Sequence, residues 1–159
     1  MFVLHRISPC RRLLQRRSLS AASIDERISR EVEARNCRFH VEQRNPDAKY
    51  QILCLPGSLG TALTDFSEQL NSGIGEEFGL VAIDPRGLGK SRMTTNGLEF
   101  VREYPADFYL QDALDGADIM KTLGYKKYSV IGWSDGANAA MHLAGNEEVK
   151  DAVVSCSKY

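Results

Sequence analysis

Residues 128–136 read YSVIGWSDG, and this stretch decides the fold of the 159-residue chain. Its first half is apolar and is typical of a buried β-strand, whereas residues 137–144 are mostly small and favour a helix. The motif G-x-S-x-G falls on Gly132, Ser134 and Gly136, where the strand would give way to the helix. A turn this sharp leaves room only for very small residues two positions before and after its centre. The stretch therefore predicts a tight strand-to-helix turn centred on Ser134.

Ser134 is the candidate nucleophile. On such a turn its hydroxyl group is held clear of the sheet at the positive end of a helix, the arrangement called a nucleophile elbow. The backbone N–H of Asp135 would be one oxyanion donor. The second should come from the loop after an earlier strand, residues 56–60, with the N–H of Ser58 as first choice and that of Leu59 as second. The alternatives are a glycine-rich turn with a capping serine, and a loop that only ends a strand.

Apolar runs broken by turn residues predict alternating strands and helices along the rest of the chain. The predicted strands are a hairpin over residues 30–44 with its turn at Asn36-Cys37, followed by residues 50–55, 78–83, 128–131 and 149–155. The predicted helices are residues 61–71, a helix from Pro105 to a stop at Gly124, and residues 137–144, with a loop over residues 92–104. This alternation predicts an α/β fold: an opening hairpin, then a mostly parallel sheet with helices on both faces.

The composition excludes several classes of protein. Hydrophobic residues make up 43% of the chain and charged residues 26%, as in ordinary globular proteins, and the length suits one domain. No apolar run approaches the ~18 residues that a membrane span needs. The formal net charge is −1, so there is no basic excess for binding nucleic acid. We therefore expect neither a nucleic-acid partner nor a membrane partner.

Metal and nucleotide motifs are missing from the sequence. The four cysteines lie far apart and include no C-x-x-C pair. Gly89-Lys90-Ser91 resembles the end of a phosphate-binding loop, but Asp84 stands where that motif requires its first glycine. We expect no metal site and no cofactor.

Residues 1–24 differ from the rest of the chain. They contain several serines and no acidic residue, and they contain five arginines: Arg6, Arg11, Arg12, Arg16 and Arg17. An arginine-rich, serine-rich and acid-poor start is typical of a mitochondrial presequence. The alternative is a disordered basic arm on a cytosolic protein. We expect a presequence-like arm over residues 1–24, a folded portion over residues 25–159, and a mitochondrial location.

Residues 84–91, DPRGLGKS, complete a set of motifs with the loop at 56–60 and the turn at Ser134. Together they resemble the α/β-hydrolase superfamily over residues 30–159, with 84–91 similar to the D-x-R-G-x-G-x-S loop that follows the fourth strand of that fold. The resemblance implies a serine hydrolase of esters, with a small-molecule α-amino-acid ester as substrate. It places the nucleophile on Ser134, the oxyanion donors on Ser58 and Asp135, and substrate contacts on Asp135 and Leu59.

The Asp135 side chain has two interpretations. Its carboxylate would lie beside the bound acyl group, where it would attract a cationic α-amino group. It could equally be an acid that is favourable at a helix N-terminus. The residues alone favour neither interpretation, whereas the resemblance favours recognition of the amine.

The catalytic acid and histidine of the family are not found after Ser134, where the order Ser, acid, His requires them. His142 lies eight residues on in the same helix, about 12 Å along its axis, so we expect it to pack on the helix surface. Asp151 should lie at the far end of the last strand. We therefore expect the N-terminal part of the fold, ending after its sixth strand, to be inactive alone and to self-associate through its exposed sheet edge.

The alternative is a truncated, non-catalytic product or a binding module. The reading frame beyond Tyr159 would distinguish the two: a continuation with an acid and a histidine favours the enzyme, and a stop codon favours the alternative.

Overall fold

A mixed β-sheet carries three helices in the computed structural model, which describes residues 27–72 and 74–158. The strands are β1 (Arg27–Ala34), β2 (Cys37–Arg44), β3 (Tyr50–Leu55), β4 (Phe78–Ile83), β5 (Met93–Thr94), β6 (Tyr128–Gly132) and β7 (Val153–Lys158). The helices are α1 (Ala62–Ser72), α2 (Phe108–Thr122) and α3 (Asp135–Gly145), with a short 3-10 helix at Lys150–Ala152. The predicted presequence over residues 1–24 lies outside the described residues and stays a prediction.

The strand order across the sheet is β1-β2-β4-β3-β6-β7, with β5 paired to the end of β2. The strands β4, β3, β6 and β7 run parallel to one another, and β1 and β2 form the predicted antiparallel hairpin. The hairpin turn is Arg35-Asn36, not the predicted Asn36-Cys37. Both turn residues have a positive φ, 44° and 59°, as a two-residue hairpin turn requires, and Cys37 already pairs with Ala34.

Helices cover both faces of the sheet, as the sequence predicts. On one face α1 packs Phe66 and Leu70 against apolar side chains of β3 and β4. On the other face α2 and α3 pack Met120 and Leu143 into a larger core that includes Leu53. Because each apolar helix face meets an apolar sheet face, the central parallel strands β3 and β4 are buried on both sides.

Two predicted boundaries are wrong, and one short strand is not predicted. α2 begins at Phe108, not Pro105, because residues 105–108 form a turn in which the Phe108 N–H bonds to the Pro105 carbonyl (3.0 Å). The last strand begins at Val153, not Val149, because the Val149 carbonyl accepts a bond from the Ala152 N–H (2.9 Å) and closes the 3-10 helix. The predicted loop over residues 92–104 contains the short strand β5.

The carboxyl ends of β3, β4 and β6 meet at one edge of the sheet, which brings together the loops that follow these strands. In the described part of the chain, the outer edge of β7 has no strand partner, and Val154 on that strand is 69% exposed. Within residues 27–72 and 74–158, no helix is long and apolar enough to cross a membrane.

Candidate active site

Ser134 lies at the N-cap of α3, directly after the end of β6, where the sequence predicts the turn. Its backbone has φ 51° and ψ −119°, a strained combination for a residue with a side chain. The turn is closed by a hydrogen bond from the Gly136 N–H to the Trp133 carbonyl (2.8 Å), and the Trp133 N–H bonds to the Leu55 carbonyl of β3 (3.0 Å). Ser134 is exposed. The fold therefore holds a serine hydroxyl in a strained, solvent-facing position.

The two glycines of the motif are required by close backbone contacts. A Cβ atom on Gly132 would lie 2.2 Å from the carbonyl oxygen of Gly136, and one on Gly136 would lie 2.0 Å from the carbonyl oxygen of Leu55. No side chain fits at either distance. The sequence predicts that only very small residues fit at these two positions, and the structure shows the close contacts that require them.

The loop at residues 56–60 packs directly against Ser134. A Cβ atom on Gly57 would lie 3.3 Å from the Cβ atom of Ser134. Among the described residues, no group accepts a hydrogen bond from the backbone N–H of Ser58, Leu59 or Asp135. Unpaired donors beside an exposed hydroxyl group are what binding of an oxyanion requires. Ser58 and Leu59 follow Gly57 directly in this loop, and Asp135 follows Ser134.

The carboxylate of Asp135 is held by hydrogen bonds to its neighbours. Its Oδ1 atom accepts a hydrogen bond of 2.9 Å from the hydroxyl group of Tyr109 on α2. Hydrogen bonds from the hydroxyl groups of Ser58 and then Tyr109 lower the pKa of Asp135, partial burial opposes them, and Asn138 adds a smaller lowering. Asp135 is therefore held as an anion next to Ser134.

The D-x-R-G-x-G-x-S loop, residues 84–91, connects the structural elements around the candidate site. The buried carboxylate of Asp84 accepts bonds from the N–H groups of Ala62 and Lys90, both at 2.9 Å, and so ties the start of α1 to this loop. Arg86 pairs with the buried Asp115 of α2 at 2.7 Å. The contacts of residues 84–91 join β2, α1 and α2.

His142 lies on the exposed surface of α3, as expected, with its ring stacked on that of Tyr109 at 6.3 Å. The buried His40 bonds to Glu42 at 2.9 Å. Within residues 27–72 and 74–158, no histidine forms a hydrogen bond with Ser134. Asp151 lies in the 3-10 helix before β7, at the opposite edge of the sheet.

Metal binding finds no support in the described residues, which contain no group of three or more histidine, cysteine or acidic side chains that could hold an ion.

Tyr109 and Asp65 belong to this neighbourhood but are missing from the sequence prediction. Tyr109 reaches Asp135 only because α2 packs beside α3, and no local pattern reports that contact. Asp65 accepts a bond from the Gly57 N–H at 2.8 Å. An acid in the first turn of a helix that follows a glycine-rich loop was an available signal for it.

The fold and the site together define the class of protein. Residues 50–158 match the family model for the alpha/beta hydrolase fold, and the chain belongs to this family. Among solved structures, a serine hydrolase from the bacterium Cycloclasticus zankles superimposes with a TM-score of 0.69 at 16% identity, over 84% of this chain and 45% of that one. An epoxide hydrolase from an endophytic Streptomyces gives 0.66 at 19% identity, over 83% and 36%. These likenesses show the fold.

Among curated proteins, the chain is similar to serine hydrolase BPHL, the biphenyl hydrolase-like protein. The mouse protein is 45% identical over 102 residues, which are 64% of this chain and 33% of the relative. The human protein is 41% identical over 116 residues, 73% of this chain and 38% of the relative. The chain thus spans about a third of the length of these relatives. Residues 104–108, YPADF, and residues 132–136, GWSDG, predict a resemblance to this group, and the similarity to these two relatives confirms it.

Proposed function

We propose that this chain carries the nucleophile of a serine hydrolase that cleaves esters of α-amino acids. The observation that carries the proposal is the exposed Ser134 at φ 51° and ψ −119° between β6 and α3. Such strain persists only where the surrounding structure enforces it, and it is common at active sites. The similarity to serine hydrolase BPHL supports the same reaction type.

In the proposed reaction the Oγ atom of Ser134 attacks the carbonyl carbon of the ester and loses its proton to a general base. The negative charge that forms on the carbonyl oxygen is stabilised by the N–H of Asp135 and by that of Ser58 or Leu59. The bond to the alcohol breaks, which leaves an acyl group on Ser134, and water then hydrolyses this acyl-serine.

The general base is a histidine oriented by an acid, as in related folds. We propose that both come from residues outside this sequence, since no described histidine bonds to Ser134. Without a base the hydroxyl group stays protonated and is a weak nucleophile. This chain on its own is therefore inactive, because loss of triad members lowers turnover by as much as ~10⁶-fold.

Asp135 supplies the preference for amino-acid esters. Its carboxylate lies one residue from the nucleophile and attracts the ammonium group of a bound substrate. Leu59, 81% exposed on the adjoining loop, offers an apolar contact to the acyl side chain. An ester with an ammonium group next to its carbonyl carbon matches this pair of contacts.

The test compares two esters in the full-length natural protein that contains this chain: benzyl valinate, and benzyl 3-methylbutanoate, which lacks the amine. Ser134→Ala should abolish hydrolysis of both. Asp135→Asn should lower kcat/KM for the amino ester about tenfold or more and change the other ester little.

Two variants serve as controls for that test. Ser129→Ala removes a serine hydroxyl group from β6, the strand that precedes Ser134, and Asp118→Asn removes an acid on the exposed side of α2. Both should retain full activity. Equal losses on both esters with Asp135→Asn would show that Asp135 is only a helix-terminus acid.

A further inference from the structure

Tyr109 connects α2 to the candidate active site. Its hydroxyl group donates to Oδ1 of Asp135 at 2.9 Å, across the junction of α2 and α3. The bond is not a by-product of local sequence, because the two residues are 26 positions apart. It joins the second residue of one helix to the first residue of another.

The ring of Tyr109 is itself held in place by its neighbours. It packs against the ring of Phe108, with centroids 3.9 Å apart, and stacks on the ring of His142 of α3, with centroids 6.3 Å apart. These contacts involve the ring and not the hydroxyl group. The hydroxyl group can therefore be removed as Tyr109→Phe while the ring packing remains.

The carboxylate that Tyr109 holds has room for a further partner. An ionised carboxylate has about four acceptor positions on its two oxygens. The hydroxyl groups of Ser58 and Tyr109 and the side-chain amide of Asn138 fill three of them. The remaining position can receive an N–H bond of an ammonium group.

We infer that Tyr109 is a positioning residue for substrate recognition: its hydroxyl group fixes the Asp135 carboxylate in the orientation that receives the ammonium group of the substrate. The inference rests on the proposed function, since it assigns to Asp135 the binding of the amine. Tyr109 touches neither the substrate nor the reacting atoms in this account. It acts through Asp135.

Two effects of the hydroxyl group follow. A fixed carboxylate loses less conformational freedom on binding, so removal of the bond weakens binding of the amine even at neutral pH. A donor to the charged form also lowers the pKa of Asp135, so removal of Tyr109 Oη raises it towards its ordinary value. Binding of the amine is present above the pKa of Asp135 and is lost as the pH falls through it. In Tyr109→Phe that loss therefore begins at a higher pH.

Other ionisable groups on the surrounding elements include His142 on α3, Asp65 on α1 and Arg102 before α2. None of these three contributes to the lowered pKa of Asp135, which comes from Ser58, Tyr109 and Asn138. A shift that Tyr109→Phe causes in the titration of Asp135 thus reports on the hydrogen bond.

The experiment uses the full-length protein with Ser134→Ala as background, so that esters bind without turnover. The carboxyl carbon of Asp135 is titrated by NMR, and the dissociation constants of benzyl valinate and benzyl 3-methylbutanoate are measured at pH 7. Tyr109→Phe should raise the pKa of Asp135 and weaken binding of the amino ester about three- to tenfold, with the other ester unchanged. Tyr125→Phe is the matched control, because the hydroxyl group of Tyr125 bonds to Gln43 and Pro46 at the opposite edge of the sheet.

Asp135→Asn separates failure of this inference from failure of the proposed function. If Asp135→Asn weakens only the amino ester while Tyr109→Phe matches Tyr125→Phe in both titration and binding, the role of Tyr109 is overturned and that of Asp135 stands. If Asp135→Asn affects both esters equally, recognition of the amine by Asp135 fails and the inference fails with it. An equal loss for both esters with Tyr109→Phe also overturns the inference, since it would report general damage to the site.

Discussion

The backbone N–H of Gly57 donates a hydrogen bond of 2.8 Å to Oδ2 of Asp65, and this bond joins the loop after β3 to the first turn of α1. The same carboxylate fills the space above Gly60, where a Cβ atom would lie 2.0 Å from Oδ2. The loop at residues 56–60 therefore contacts the Asp65 side chain at both Gly57 and Gly60. Since Ser58 follows Gly57 in this loop, Asp65 sets the position of a proposed oxyanion donor.

Replacing Asp65 should consequently lower turnover more than substrate binding. In the full-length protein we expect Asp65→Ala to reduce kcat about tenfold, because a hydrogen bond to a charged group that orders the loop is lost. Asp65→Asn keeps an acceptor oxygen and should lose less. Steady-state kinetics on the amino ester measure both, and an Asp65→Ala protein with unchanged kcat would contradict this role.

The glycines around Ser134 and the glycine at the end of the same helix should respond oppositely to alanine. Gly136→Ala would force a methyl group to 2.0 Å from the Leu55 carbonyl and should cost about 3 kcal/mol or more of unfolding free energy. Gly145→Ala, with nothing within 4 Å of the added atom, should be neutral or stabilising by up to about 1 kcal/mol. Urea denaturation measures both. Similar losses for the two variants would show that the turn is not tightly closed.

The opening hairpin should make stability sensitive to acid through Glu42. Burial of Glu42 raises its pKa, but hydrogen bonds from Ser29 and His40 and the charge of Arg27 outweigh it, so that the pKa lies below its ordinary value of 4.5. The stability that Glu42 contributes is thus fully present above pH 4.5 and is lost as the pH falls through the lowered pKa.

Glu42→Gln tests that dependence. The variant should be less stable than the wild type at pH 7, and the difference should shrink as the pH falls below 4.5. Glu68→Gln, at an exposed glutamate on α1, should show no such convergence. A Glu42→Gln difference that stays constant from pH 7 to pH 3 would refute the prediction.

Residues 1–24 should direct import into mitochondria. A fluorescent reporter fused to residues 1–30 is expected to enter mitochondria and to be cleaved, because residues 1–24 are rich in arginine and lack acidic residues. Replacement of the five arginines of residues 1–24 by glutamine should leave the reporter in the cytosol. Cytosolic signal from the unaltered fusion would favour a basic arm instead. Fluorescence microscopy and N-terminal sequencing provide the readouts.

Local pattern predicted the parts of the fold in which one segment determines its own conformation. The turn at Ser134 is partly such a part: Gly132 is required by the Gly136 carbonyl of the same turn, whereas Gly136 is required by the Leu55 carbonyl of β3. Apolar runs predict the four strands of the parallel part of the sheet. The start of β7 at Val153 is not predicted, because it depends on a 3-10 helix that apolarity does not reveal.

Contacts between distant segments could not be predicted in the same way. Asp115 appears on the apolar side of α2 as an unexplained acid until Arg86 and Arg35 are seen to pair with it. Tyr109 has no special feature along the chain, and its role follows only from the crossing of α2 and α3. The sequence therefore identifies the candidate nucleophile, whereas the groups that orient its neighbours require the assembled fold.

The central claim is that Ser134 is the nucleophile, and the most direct measurement is the mass of the peptide that carries the acyl-enzyme adduct. The full-length protein would be mixed with an amino-ester substrate, quenched in acid during turnover, digested and mapped by mass spectrometry. We predict an acyl group on Ser134 that is absent from Ser134→Ala and retained in Ser129→Ala. An adduct on any other residue, or ester hydrolysis that survives Ser134→Ala, would contradict the account.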